Sequence, residues 1–243
     1  MERRKFVIGL GALASGSAAA MGTGAFTAAE LDGREANIGV VDDTNGLIGL
    51  EAGDSELVSN DGGSNDNELV INFNPDGPGD GVNPNSKYQV GGLGGIGNLD
   101  EVPGNPTLDT TVEDVAIDTD SDIEDHYAFK LLNQSGSDQA IEVAYEANED
   151  FPSEAEVYMV SQYEEGQDDS EQTSALIASA TPDAREASII YSDDTDYSTD
   201  VDSGKDVKIS LLVVVGDADT GDDLDGDITV RAGSHDDFST ADQ

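Results

Sequence analysis

Asp206-Val207-Lys208-Ile209-Ser210-Leu211-Leu212-Val213-Val214-Val215 is the stretch that decides the fold class. Its first half alternates polar and apolar side chains with a period of two, the mark of a half-buried strand. Its second half is continuously apolar and mostly β-branched, as expected of a strand covered on both faces. Such a strand needs neighbours on both edges and a packed layer on at least one side, so the rest of the chain should supply more strands.

Working outward, it does. Asp227-Ile228-Thr229-Val230-Arg231-Ala232 reads as a closing strand. Upstream, Ser188–Tyr191 is weakly strand-like and Glu156–Val160 clearly so. His126–Leu132 and Ala140–Tyr145 read as a hairpin across Asn133–Ser137. Further strands are expected at Ala36–Val41, Leu47–Leu50, Glu68–Phe73 and Lys87–Val90. The stretches around 51–67 and 74–106 are rich in Gly, Asn, Asp and Pro and read as irregular acidic loops. One short helix is expected over Asp169–Ala180, where Asp169 and Gln172 have capping-box spacing and Pro182 stops the run. Many short strands, turn-rich spacers and one short helix make an all-β chain, a single β-sandwich domain over 26–243.

Charge constrains the setting. Asp and Glu number 53 against 10 Lys and Arg, a formal net charge of -43 at pH 7. In dilute buffer that charge opposes compaction by self-repulsion. At about 1 M salt the Debye length falls to roughly 3 Å and the repulsion is largely screened. The composition therefore points to a protein of brine. An acidic disordered chain is the other reading of such a charge, and the alternating apolar runs, with 36% hydrophobic residues, oppose it. The charge also argues against nucleic acid as a partner, since no basic patch is available to neutralise phosphates.

Three of the basic residues stand together. Arg3, Arg4 and Lys5 precede an apolar, small-residue stretch from Phe6 to Ala20. This reads as an export signal over residues 1–25, and the paired arginines resemble a twin-arginine signal. The apolar stretch is short of the roughly 20 residues that span a bilayer. Thr23-Gly24-Ala25 places small residues before a cleavage point after Ala25, with Ala20 and Ala29 as the alternative cleavage points. An uncleaved leader acting as an anchor is the other reading, and the membrane is then touched through the leader alone. Cysteine is absent, so neither a disulfide nor a lipid-bearing cysteine contributes.

A family resemblance follows from several short blocks. Gly22-Thr23-Gly24-Ala25-Phe26-Thr27 resembles the Gly-Thr-x-Ala-aromatic junction of TasA and camelysin-like exported proteins. Arg34–Leu50, Gly81–Ser86, Phe129–Gln134, Val207–Val215 and Ile228–Ala232 resemble successive blocks of a haloarchaeal exported family of unknown function. The resemblance implies a jelly-roll-like sandwich, exported and held at the cell surface or outside the cell. In TasA-like fibres a subunit inserts an N-terminal strand into its neighbour, and Phe26–Val41 stands where that donor would be. Pairing of the same segment within its own domain is the competing reading.

Catalytic chemistry is not legible. Camelysin relatives carry a metalloprotease label, but His126 and His235 are the only histidines and no His-Glu-x-x-His pair exists. No Gly-x-Ser-x-Gly elbow is present, and with so many acids any carboxylate pair proposed for glycoside hydrolysis is uninformative. No cofactor is expected. Calcium is the one ligand with a candidate set: Asp217, Asp219, Asp223 and Asp225 alternate in an acidic loop, as do Asp118, Asp120 and Asp122. Neither run matches an EF-hand, and a solvated acidic loop explains both equally. Asn133-Gln134-Ser135 is a sequon at the expected hairpin tip, which makes Asn133 a glycosylation candidate. The expected role is non-enzymatic: a structural or adhesive surface protein, a matrix or filament subunit. The alternatives are a monomeric envelope-associated binding module and, less well supported, a secreted hydrolase.

Overall fold

The computed structural model describes residues 29–31, 37–39, 47–59, 68–71, 85–98, 112–147, 151–164, 173–216 and 226–238. Among them the first strands are β1 (Ala29–Leu31), β2 (Asn37–Gly39), β3 (Ile48–Ala52), β4 (Val58–Ser59), β5 (Glu68–Ile71) and β6 (Lys87–Val90). A single helical turn, α1 (Val112–Val115), precedes β7 (Phe129–Asn133) and β8 (Ala140–Ala147). Then come β9 (Glu156–Glu164), β10 (Thr173–Ala180), β11 (Glu186–Tyr191), β12 (Asp206–Val214) and β13 (Gly226–Gly233), and a 3-10 turn at His235–Asp237.

The apolar stretch that opened the sequence reading is β12, and it lies inside a six-stranded sheet. One edge pairs with β9 from Val207 to Val214. The other edge is shared: Asp206–Ile209 pairs with β7 and Leu211–Val214 with β6. The sheet runs β10-β9-β12-β7-β3, with β6 beside β12. A four-stranded sheet, β1-β13-β8-β11, packs against it, and all pairings are antiparallel. From β7 onward the chain passes between the two sheets at every connection except the β9–β10 hairpin. That winding is the double Greek key of a jelly roll. A small sheet, β2-β5-β4, adds Val58, Leu69 and Ile71 to the same core.

The main core lies between the sheets. From β12 come Val207, Ile209, Leu211 and Val213, from β9 Val157, Met159 and Tyr163, and from the facing sheet Ile141, Val143, Ile189, Tyr191 and Val230. The opposite face of β12 is also covered. Leu212, with Tyr158, Val160 and Ile177, forms a second cluster under Leu93 and Val115 from the strap that crosses the sheet between β6 and β7. This double cover explains why the end of β12 reads as continuously apolar. The strap leaves β6 at Gly91, whose φ of +91° suits glycine, and a Cβ there would lie 2.5 Å from Ser210 Oγ and 2.8 Å from Ala128 N. Gln89 then pins the strap: its Oε1 accepts from the Ile117 and Asp118 amides, both at 2.8 Å.

Three expectations are corrected. The helix over Asp169–Ala180 is instead strand β10 from Thr173 onward, and residues 169–172 lie outside the described residues. Both faces of β10 are used, Leu176 and Ala178 toward the main core and Ile177 toward the second, so no polar alternation betrays the strand. The one α-helical turn among the described residues is α1. The hairpin of His126–Leu132 with Ala140–Tyr145 does not form either. β7 pairs with β3 and β12, while β8 pairs with β11 and β13 in the other sheet, because the turn between them crosses the sandwich. The loop around 51–67 is interrupted by the end of β3 and by β4.

Burial fixes which positions matter for stability. Ile209 is fully buried, while Ile117 on the strap is 70% exposed. Ile209→Ala is expected to lower the unfolding free energy by about 2–5 kcal/mol. Ile117→Ala should change it by no more than about 0.5 kcal/mol. Denaturant unfolding in concentrated salt checks both.

Candidate functional site

Cross-strand register assembles a buried ion pair on the four-stranded sheet. Glu142 on β8 stands directly opposite Arg231 on β13. Glu142 is fully buried, and its Oε2 accepts from Arg231 Nη1 at 2.8 Å. Ser188 on β11 donates to Glu142 Oε1 at 3.0 Å. Both carboxylate oxygens are thus engaged, which a charge withdrawn from water requires.

A second polar cluster lies between the sheets. Ser161 on β9 and Tyr191 on β11 share a hydroxyl–hydroxyl hydrogen bond of 2.8 Å. The Tyr163 ring meets the Tyr191 ring edge-on at 5.6 Å, and Tyr163 Oη accepts from the Asp202 amide at 2.9 Å. Burial pushes the Tyr191 phenol far above its usual range, with a smaller upward push from Tyr163. The phenol stays protonated and serves as a hydrogen-bonding tie between sheets. Glu142 thus ties β8 to β13 and β11, and the Ser161–Tyr191 bond ties the two sheets together.

The residues singled out from the sequence fall elsewhere. Asp217, Asp219, Asp223 and Asp225 lie outside the described residues, as do Ala25 and the leader. Asp118 and Asp122 accept from backbone amides two residues on, Asp120 at 3.1 Å and Glu124 at 2.8 Å, and so shape the strap. No group of three or more His, Cys, Asp or Glu able to hold a metal occurs among the described residues. Of the donor segment Phe26–Val41, residues 29–31 pair with β13 and residues 37–39 with β5 of the same chain.

Asn133, the sequon residue, stands at the end of β7. It is fully buried. Its Nδ2 donates to Ser137 O at 3.0 Å and Val201 O at 2.8 Å, and its Oδ1 accepts from Ser135 N and Oγ. Both amide protons are used where the chain leaves one sheet for the other. The sequon is visible in sequence, but the sheet change that buries it is not.

His126 makes an exposed, pH-sensitive contact. Its Nδ1 lies 2.7 Å from Asp54 Oδ2 and both side chains are about half exposed. Its backbone holds the strap at two points, donating to Asp122 O and accepting from Gly92 N. The hydrogen bond to Asp54 and its charge, with smaller help from Asp125 and Asp122, raise the imidazole above its usual 6.5. His235, the other histidine, meets the Phe238 ring edge-on at 5.8 Å.

No family model, curated protein or solved structure matches this chain.

Two predictions follow from these contacts. Arg231→Met leaves a buried carboxylate without its cation and should cost about 3–5 kcal/mol. The double variant Glu142→Gln with Arg231→Met should recover part of that loss, read by a double-mutant cycle in denaturant. For His126, a pKa raised on folding contributes stability that is fully present below the unfolded value of 6.5 and is lost as pH rises through the folded value. The thermal midpoint of the parent should therefore exceed that of His126→Gln at about pH 5 and approach it at about pH 8.5. An unchanged difference across that range would remove His126 as a pH-dependent tie.

Proposed function

We propose that this chain is an exported, salt-adapted structural protein of the cell surface or extracellular matrix, and that copies assemble by strand addition through Phe26–Val41. The observation that carries the reading is how that segment is held. Its described parts are three-residue strands on two different sheets, β1 beside β13 and β2 beside β5. Contacts of this kind are mainly backbone hydrogen bonds at sheet edges, which a second copy can supply in the same register. Exchange between copies then needs no new surface, the physical basis of domain swapping. A net charge of -43 keeps copies apart in dilute buffer and allows contact where salt screens it.

The same pairings favour a second reading. When β1 and β2 stay on their own chain, the donor strand is already used, and the protein is a monomeric envelope-associated binding module. Export and the leader belong to both readings and rest on Arg3, Arg4, Lys5 and the apolar run after them.

Electron microscopy with light scattering separates the two. In about 1 M salt or more, the purified protein should form filaments, and deletion of 26–41 should abolish them while far-ultraviolet circular dichroism remains that of a β protein. A monodisperse monomer at every concentration would leave the binding module. Mass spectrometry of protein recovered from the growth medium should show a chain beginning at Phe26.

A further inference from the structure

We infer that β10 is a self-complementary edge through which two copies of this chain pair their six-stranded sheets, with β10 of one antiparallel to β10 of the other. The strand is Thr173-Ser174-Ala175-Leu176-Ile177-Ala178-Ser179-Ala180. It ends the six-stranded sheet and pairs with β9 on one edge alone among the described residues. An open edge is a row of backbone donors and acceptors that templates another strand, and soluble proteins blunt such edges with charge, proline or brevity.

Among the described residues the other sheet edges carry that protection. Among the longer edge strands, β3 carries Glu51, β6 carries Lys87 and β11 carries Glu186. The uncharged edges β2 and β4 are only three and two residues long. β10 is eight residues long and has no charge, no proline and no glycine, in a chain where 26% of residues are charged. Its side chains from Leu176 to Ala180 are buried, so what it offers a neighbour is its backbone.

The occupant follows from charge. A partner strand must be uncharged and edge-exposed, and β10 of a second copy meets both conditions. Two copies each carrying -43 repel least, once salt screens the rest, where the paired strands themselves carry no carboxylate, as here. An antiparallel pair has its two-fold axis normal to the sheet. Ala175, Ile177 and Ser179 then meet outer-face residues of the other copy, and Leu176 and Ala178 meet inner-face residues, so the pleat continues across the seam. The same geometry brings the turn carrying Arg185 toward the Glu164 end of β9 in the other copy. Among the described residues Arg185 has no ion pair of its own. Asp183 and Glu186 beside it carry the opposite sign, so the seam closes in salt. The inference does not rest on strand exchange by Phe26–Val41, which uses different residues.

Sedimentation equilibrium of the full chain in about 2 M KCl, joined to hydrogen–deuterium exchange, tests it. Below the concentration at which filaments form, a dimer is expected, with exchange at 173–180 slowing as concentration rises. Ala175→Glu, at a half-buried outer-face position, sets like charges at the seam and should raise the dimer dissociation constant about tenfold or more. Ala175→Thr should keep the dimer, and at concentrations where the parent is monomeric the thermal midpoints of both variants should match the parent. If Ala175→Glu unfolds, the exchange pattern of the parent decides alone. A strict monomer, a dimer untouched by Ala175→Glu in a folded variant, or protection confined to 29–31 and 37–39 would each overturn the inference.

Discussion

Everything in this fold depends on the burial of β12 on both faces with both of its edges hydrogen bonded. Its inner face supplies Val207, Ile209, Leu211 and Val213 to the main core, and Leu212 on the other face anchors the strap. One edge is filled by β9 and the other is divided between β7 and β6. A strand so placed cannot shift register, because a one-residue slip would exchange its two faces and misalign three neighbours. The jelly-roll winding then follows from joining strands that must lie on opposite sides of that core.

Charge and burial are strictly divided. The chain carries -43, yet the described core admits one fully buried carboxylate, Glu142, and that residue meets a cation and a hydroxyl. The other fully buried polar side chains include Asn133 and Ser161, both bonded at places where the two sheets communicate. Acidic residues that are described on loops, such as Asp118 and Asp122, serve their own backbone. The acids thus have two tasks, solvation of the surface and turn formation, and in salt the first carries little electrostatic penalty.

The strand pattern was largely legible from alternation. β5, β6, β8, β12 and β13 fall where apolar periodicity places them, with ends shifted by a few residues. The failures share one cause. β10 is apolar on both faces, so its period of two vanished and Asp169 with Gln172 suggested a helix cap instead. The β7–β8 turn looked like a hairpin because Asn133–Ser137 has turn chemistry, but turn chemistry is the same whether the chain returns in its own sheet or crosses to another. Glu142 in β8 was likewise indistinguishable from a surface acid, since its alternation is correct and its cover comes from residues distant in sequence.

From the sequence alone come the all-β class, the strongly apolar strand at 206–215, the net charge of -43 and the basic residues Arg3, Arg4 and Lys5 before an apolar run, because composition and period are local quantities. Tertiary structure alone decided which sheet each strand joins, the burial of Asn133, the Glu142–Arg231 pair and the bare edge of β10. Those depend on contacts between residues far apart in the chain. The free energy of such contacts is set by what lies across the sheet or the core, and no window along the sequence contains it.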